Sequence, residues 1–115
     1  MTNFQNILTL FGLSNEEAAS YLNVETPDVV RWCTTDDSPP IEVWKALVML
    51  FDSIRFAAED AAKTADLDHL QATDLNSISF ALPAGFSANN AHAQLKGPER
   101  AATAMAVASL ARVFV

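Results

Sequence analysis

Between residues 11 and 28 the chain is punctuated three times, and each mark leaves the backbone few choices. The run TNFQNILTLF (2–11) puts Phe4, Ile7, Leu8 and Phe11 on one helical face. Gly12 follows, and glycine readily takes the left-handed conformation that closes a helix. Ser14 with Glu17 three residues on makes a capping box, so a second helix is expected from there to about Leu22. Ala18, Ala19 and Leu22 then point inward. Asn23 tolerates positive φ and can make the turn, with Val24 as a buried plug after it. Thr26 is expected as the next N-cap and Pro27 at the first helical position. Asp28 complements the dipole in that first turn. Val29 and Trp32 face the core, and the third helix should stop near Cys33 or Thr34.

The remainder reads more coarsely. TTDDSPP (34–40) is a loop of turn formers. A long helix is predicted over about 40–63, with a stripe of Trp44, Leu47, Val48, Phe51, Ile54 and Ala58 broad enough for the core and a partner helix. DLDHLQATDL (66–75) is a short helix or a turn. SISFALP alternates Ile78, Phe80 and Leu82 at period two, which predicts a strand ended by Pro83. Residues 84–98 read as a loop, with Pro98 opening a last helix that ends in an apolar VFV expected to be packed. Half of the 115 residues are apolar, enough for a modest core in one domain with a small appendage. Alanine-rich runs such as FAAEDAAKTA and AATAMAVASLA add to the expectation of a mainly α protein.

Charge narrows the function. The net formal charge is -7, which repels phosphate and anionic lipid at long range. Residues 1–50 hold only Arg31 and Lys45 against Glu16, Glu17, Glu25, Asp28, Asp36, Asp37 and Glu42. Cys33 is the only cysteine, so neither an internal disulfide nor a cysteine zinc cluster can form. MTNFQNILTL lacks the basic start of a signal peptide. The weakly polar run 101–110 is shorter than the roughly 20 apolar residues that span a bilayer. A soluble cytoplasmic protein is expected, with no membrane partner.

Single features with chemical potential have plainer readings beside them. His69 with Asp66 and Asp68 lacks a metal-ligand spacing, and His92 stands apart, so surface residues are expected and no metal. Trp32 and Trp44 read as core. Cys33 reads as a small, partly buried residue whose only basic neighbour is Arg31. There is no glycine-rich phosphate loop and no recognisable nucleophile–base set. Neither an enzyme nor a cofactor is expected.

Gly12, Leu13, Ser14, Glu16, Glu17, Ala19, Val24, Val29, Arg31, Trp32 and Pro40 together resemble the Cro/phage-repressor (XRE-type) helix-turn-helix family, over residues 4–50. The resemblance implies a five-helix, lambda-repressor-like helix-turn-helix domain over 1–64. The region 65–115 would then be a small α/β dimerisation region, a short strand plus a C-terminal helix. It places base contacts at Glu25, Thr26, Pro27 and Arg31, and also at Asp28. Asn15 would touch phosphate, and Ser38 lies in the backbone-gripping loop with Thr34 and Thr35. Arg31 has the alternative of pairing with Asp28 one turn back. The chain departs from the family pattern where Cys33, Thr35, Asp36 and Asp37 replace its usual acidic, glycine and basic residues.

Two functions follow. The first is a small transcriptional regulator that binds double-stranded DNA as a homodimer. Ile78, Phe80 and Leu82 from the strand, and Ala104, Ala108 and Ala111 from the last helix, would form the dimer contacts. The alternative is an acidic, degenerate helix-turn-helix, adaptor-like or antitoxin-like, that leaves DNA alone. Its face of Glu25, Asp28, Asp36 and Asp37 would bind a basic protein partner.

Overall fold

The computed structural model describes residues 2–65, 69–80, 82 and 95–114. They are mainly helical. In chain order they form α1 (Asn3–Phe11), α2 (Asn15–Leu22), α3 (Thr26–Thr34), α4 (Ile41–Thr64), a 3-10 turn (Ala72–Asp74) and α5 (Lys96–Ala111). A second 3-10 turn (Arg112–Phe114) continues α5.

The first helices end where the punctuation requires. Gly12 has φ 68° and its N–H returns to the Leu8 and Thr9 carbonyls. The Ser14 hydroxyl accepts from the Glu17 N–H at 3.1 Å, and the Glu17 carboxylate accepts from the Ser14 N–H at 3.0 Å. Two N–H groups that the helix cannot satisfy are thereby paired. Asn23 has φ 57° and ends α2. Thr2, unmarked in the sequence pattern, caps α1 by accepting from the Gln5 N–H at 3.1 Å. Its hydroxyl also reaches the carbonyl oxygens of Trp32 and Cys33, at 3.0 and 3.2 Å. The start of α1 is thus tied to the end of α3.

α3 starts one residue earlier than expected. Glu25, not Thr26, is the N-cap, and it makes no side-chain cap hydrogen bond. Pro27 therefore takes the second helical position, which is tolerated because first-turn N–H groups have no helical acceptor. The same reasoning admits Pro98 as the third residue of α5 rather than the first.

The core gathers Phe4, Leu8 and Phe11 of α1 with Val29 and Trp32 of α3 and Leu47, Leu50 and Ile54 of α4. Phe4 is its junction. Its ring meets Trp32 edge-on at 5.7 Å and 78°, and Trp44 at 6.0 Å and 90°. Ala18 and Ala19 bring α2 close, and Ile7, Leu22 and Val24 lean on the core from its rim.

The inward stripe of α4 is rotated from the predicted one. Val43, Leu47, Leu50, Ile54, Ala57, Ala58 and Ala61 are buried, while Trp44 is half-buried and Val48 and Phe51 are exposed. The reason lies in α5. Ala102, Ala106 and Leu110 are its buried residues, and α5 packs chiefly on α4. The alanines of the second half of α4 therefore face inward. A helix from the expected C-terminal region thus contributes Ala102 to the same core as α1–α4.

α5 docks at a glycine pair. A Cβ on Gly97 would lie 2.1 Å from the Gly12 carbonyl oxygen and 2.5 Å from that of Phe11. Gly97→Ala is expected to push α5 off α1 and cost about 1–3 kcal/mol, as overpacking does. Thermal unfolding checks this, at about 4–8 °C of Tm per kcal/mol for a small domain. An unchanged Tm would show that α5 docks less closely.

Two further expectations are not met within the single chain. No strand forms among the described residues, so the predicted strand at Ile78, Phe80 and Leu82 is absent there. A strand needs a neighbour for its N–H and C=O groups, and the described residues of the single chain offer none. Instead the Ile78 N–H donates to the Asp74 carbonyl at 2.9 Å, continuing the turn, and Leu82 leans on the core of its own chain. The apolar end is not packed in the single chain either: Val113 and Phe114 are 61% and 45% exposed. Leu110 takes the last inward position of α5, and the 3-10 turn carries the chain into solvent. Val115, residues 66–68 and most of the expected loop at 84–98 lie outside the described residues.

Candidate functional site on α3

α2 and α3 are joined by residues 23–25 and pack on each other. Val29 and Trp32 anchor α3 inward, which turns Glu25, Pro27, Val30 and Arg31 to solvent. Thr26 and Asp28 are half-buried beside them.

Arg31 is occupied. Its Nη1 donates to Asp28 Oδ1 at 3.0 Å, and its Nε lies 3.5 Å from Asp37 Oδ2. Its guanidinium carbon sits 5.8 Å from the centroid of the Trp32 ring. The loop after α3 is folded to allow this. The Thr35 hydroxyl donates to the Arg31 carbonyl at 2.7 Å and accepts from the Asp37 N–H at 3.2 Å. Asp37 is thereby turned back over the helix end.

Two of the expected backbone-contact residues, Asn15 and Ser38, also have partners within the chain. Asn15 is half-buried, and its Oδ1 accepts from the Cys33 thiol at 3.8 Å. Burial pushes the Cys33 thiol up, which keeps the proton it donates. Ser38 is exposed, but its hydroxyl accepts from the Trp44 indole N–H at 3.2 Å.

Asp28 and Asp37 thus hold Arg31 between them, and Glu25 and Asp36, both exposed, add two more carboxylates near them in sequence. Four carboxylates against one guanidinium give the face a formal charge of -3. Beside it runs an open groove of about 590 Å³, lined by Trp32, Trp44, Asp36, Asp37 and Ser38 among others. The Asp36 and Asp37 carboxylates on its wall suit a Lys or Arg side chain through charge pairing.

The sequence pattern did not indicate that Asp37 pairs with Arg31, or that Trp44 bonds Ser38. The signal was present only as loop length, since five residues after Thr34 must turn back before Pro40. Of the expected dimer residues, Ala104 and Ala108 are exposed on α5, and Ala111, Ile78, Phe80 and Leu82 are half-buried. His69 is exposed, while Asp66, Asp68 and His92 lie outside the described residues. Among the described residues no three His, Cys, Asp or Glu gather as metal ligands, and no helix is long and apolar enough to cross a membrane. Comparison with protein-family models, curated proteins and solved structures returns no match.

Proposed function

We propose that this chain is a small helix-turn-helix-type regulator whose α3 face recognises a basic protein surface. In this reading α1–α4 form a Cro/phage-repressor-like unit, α2 and α3 are its helix-turn-helix, and the protein acts as a cytoplasmic homodimer. One observation carries the partner's chemistry: the only cation of the α3 face is held between Asp28 and Asp37. Most non-specific DNA affinity comes from Lys and Arg releasing counterions at phosphates. A duplex approaching α3 meets a net negative face instead. A Lys- or Arg-rich protein segment meets complementary charge and an open groove beside the half-buried Trp44.

DNA binding is the second reading, and a separate observation favours it. α3 follows α2 after a short turn and leaves its outer face unpacked, as a groove-reading helix must. A carboxylate can also accept from a cytosine amino group in the major groove.

Fluorescence anisotropy separates the two. The probes are an Arg-rich peptide, a neutral peptide of equal length, the chain's own upstream duplex and a random duplex, each across a salt series. The protein reading expects the Arg-rich peptide to bind and Asp36→Asn/Asp37→Asn to weaken it. Specific binding of the upstream duplex that weakens with salt and is lost in Arg31→Ala would overturn that reading in favour of DNA.

A further inference from the structure

The outer face of α4 is apolar, unpartnered among the described residues and patterned. Ile41, Val48, Met49 and Phe56 are 60%, 56%, 69% and 63% exposed. Single exposed apolar side chains are ordinary, but a contiguous group of large ones marks an interaction surface. These four, with Lys45 and Asp52, lie in two rows along the helix. Ile41, Lys45 and Met49 form one row at a spacing of four residues, and Val48, Asp52 and Phe56 form the other. Rows at this spacing are the ridges by which helices interlock.

We propose that this face binds a second copy of itself, as an antiparallel pair of α4 helices around a two-fold axis between Val48 and Met49. The two rows are complementary in reverse order. With the axis there, Ile41 lies beside Phe56 of the other copy, Lys45 beside Asp52, and Met49 beside Val48. An interface made by one patch on itself must be self-complementary in this way. Neither Lys45 nor Asp52 has an ion-pair partner among the described residues, whereas Arg55 and Glu59 at the edge pair with each other at 3.7 Å. Glu42 and Arg55 come to the same height in this arrangement, so no like charges meet.

The alternatives are worse. A parallel two-fold pair sets Lys45 against Lys45 and Asp52 against Asp52. Sliding the antiparallel pair by one turn sets Lys45 against Val48 or Phe56, and Asp52 against Ile41 or Met49, which leaves the charges unpaired on apolar neighbours. Charge therefore selects both direction and register, as polar positions do in paired helices. This interface differs from the one expected from the last helix and the strand, and it does not depend on what α3 binds.

Sedimentation equilibrium over a concentration series tests it. Wild type is expected to dimerise. Lys45→Asp creates two like-charge contacts by symmetry and should weaken the dimer about tenfold to a hundredfold. Lys45→Asp/Asp52→Lys should restore it. Met49→Glu sets two carboxylates at the axis and should also dissociate the dimer, while Ala104→Glu on α5 should not. All these side chains are exposed, and far-UV circular dichroism confirms that each variant stays folded. A monomeric wild type overturns the proposal. So does a dimer untouched by Lys45→Asp and Met49→Glu, a dimer lost in Ala104→Glu, or a charge swap that fails to restore association.

Discussion

Phe4→Ala should cost about 3–5 kcal/mol, the range for deleting a buried aromatic ring. A domain of this size has about 5–15 kcal/mol in total, so much of its stability would go with one side chain. Phe4 is 2% exposed and stands edge-on to both Trp32 and Trp44. Its ring is thus shared by α1, α3 and α4. Edge-to-face pairs add about 0.5–1.5 kcal/mol beyond the area they bury, and two are lost together. The neighbouring tryptophans are too rigid to fill the void, so the cavity stays. Phe4→Leu should fall between, since it keeps apolar volume and loses the ring contacts. Leu10→Ala is the control: Leu10 is on the same helix but 59% exposed, and should change stability by about 0.5 kcal/mol or less. Denaturant unfolding reads all three. A Phe4→Ala loss below about 1 kcal/mol would show that the aromatic junction does not hold the bundle.

The α1 side of that junction was legible in the sequence because it rests on local rules, while the meeting of Phe4 with Trp32 and Trp44 was not. Phe4, Leu8 and Phe11 share a face by periodicity, and Gly12, Ser14, Glu17 and Asn23 each have a backbone role set by one residue type. The long helix was legible in extent but not in orientation. Trp44, Val48 and Phe51 are as hydrophobic as Val43 and Leu50, so pattern alone could not choose the inner stripe. The docking of α5 chose it, by setting Ala102, Ala106 and Leu110 against alanines that carry little hydrophobic signal. The strand is not seen in the single chain for a related reason. Alternation at residues 78–82 describes what a strand would look like, but a strand also needs a partner edge, which its own sequence cannot supply.

The α3 face was legible in charge and not in connection. Glu25, Asp28, Asp36 and Asp37 could be counted, and the Arg31–Asp28 pair follows from helical spacing. The second clamp on Arg31 could not be foreseen, because it depends on Thr35 bonding both the Arg31 carbonyl and the Asp37 N–H. Such a clamp changes what the arginine is available for. An isolated exposed ion pair is worth about 0.2–1 kcal/mol, so a strong competitor can open one pair. It cannot remove the carboxylates, which stay within a few ångströms of any phosphate that Arg31 would reach.

Asp28→Asn/Asp37→Asn should therefore bind random duplex more tightly than wild type, and in a salt-dependent way. The substitutions reduce the formal charge of the face from -3 to -1 and leave Arg31 without its two carboxylate partners. One new phosphate contact per protomer steepens the dependence of log K on log salt by about 0.9. If the protein dimerises and both copies reach the duplex, the increment is twice that. Stability should hardly move. Both carboxylates are substantially exposed, at 37% and 69% of the side chain, and Asp28 gives up only a modest helix-dipole contribution of about 0.3–1 kcal/mol. Anisotropy of a labelled random duplex from low to physiological salt measures the gain, with Arg31→Ala added to the double variant as the reversal. If that reversal abolishes the gain, the two aspartates are what hold Arg31 away from phosphate. A double variant that binds no better than wild type would mean that the two aspartates do not limit the affinity of α3 for DNA, and the clamp would lose its functional role. The same double variant should bind the Arg-rich peptide more weakly, because the charge that repels phosphate is the charge that attracts a basic partner.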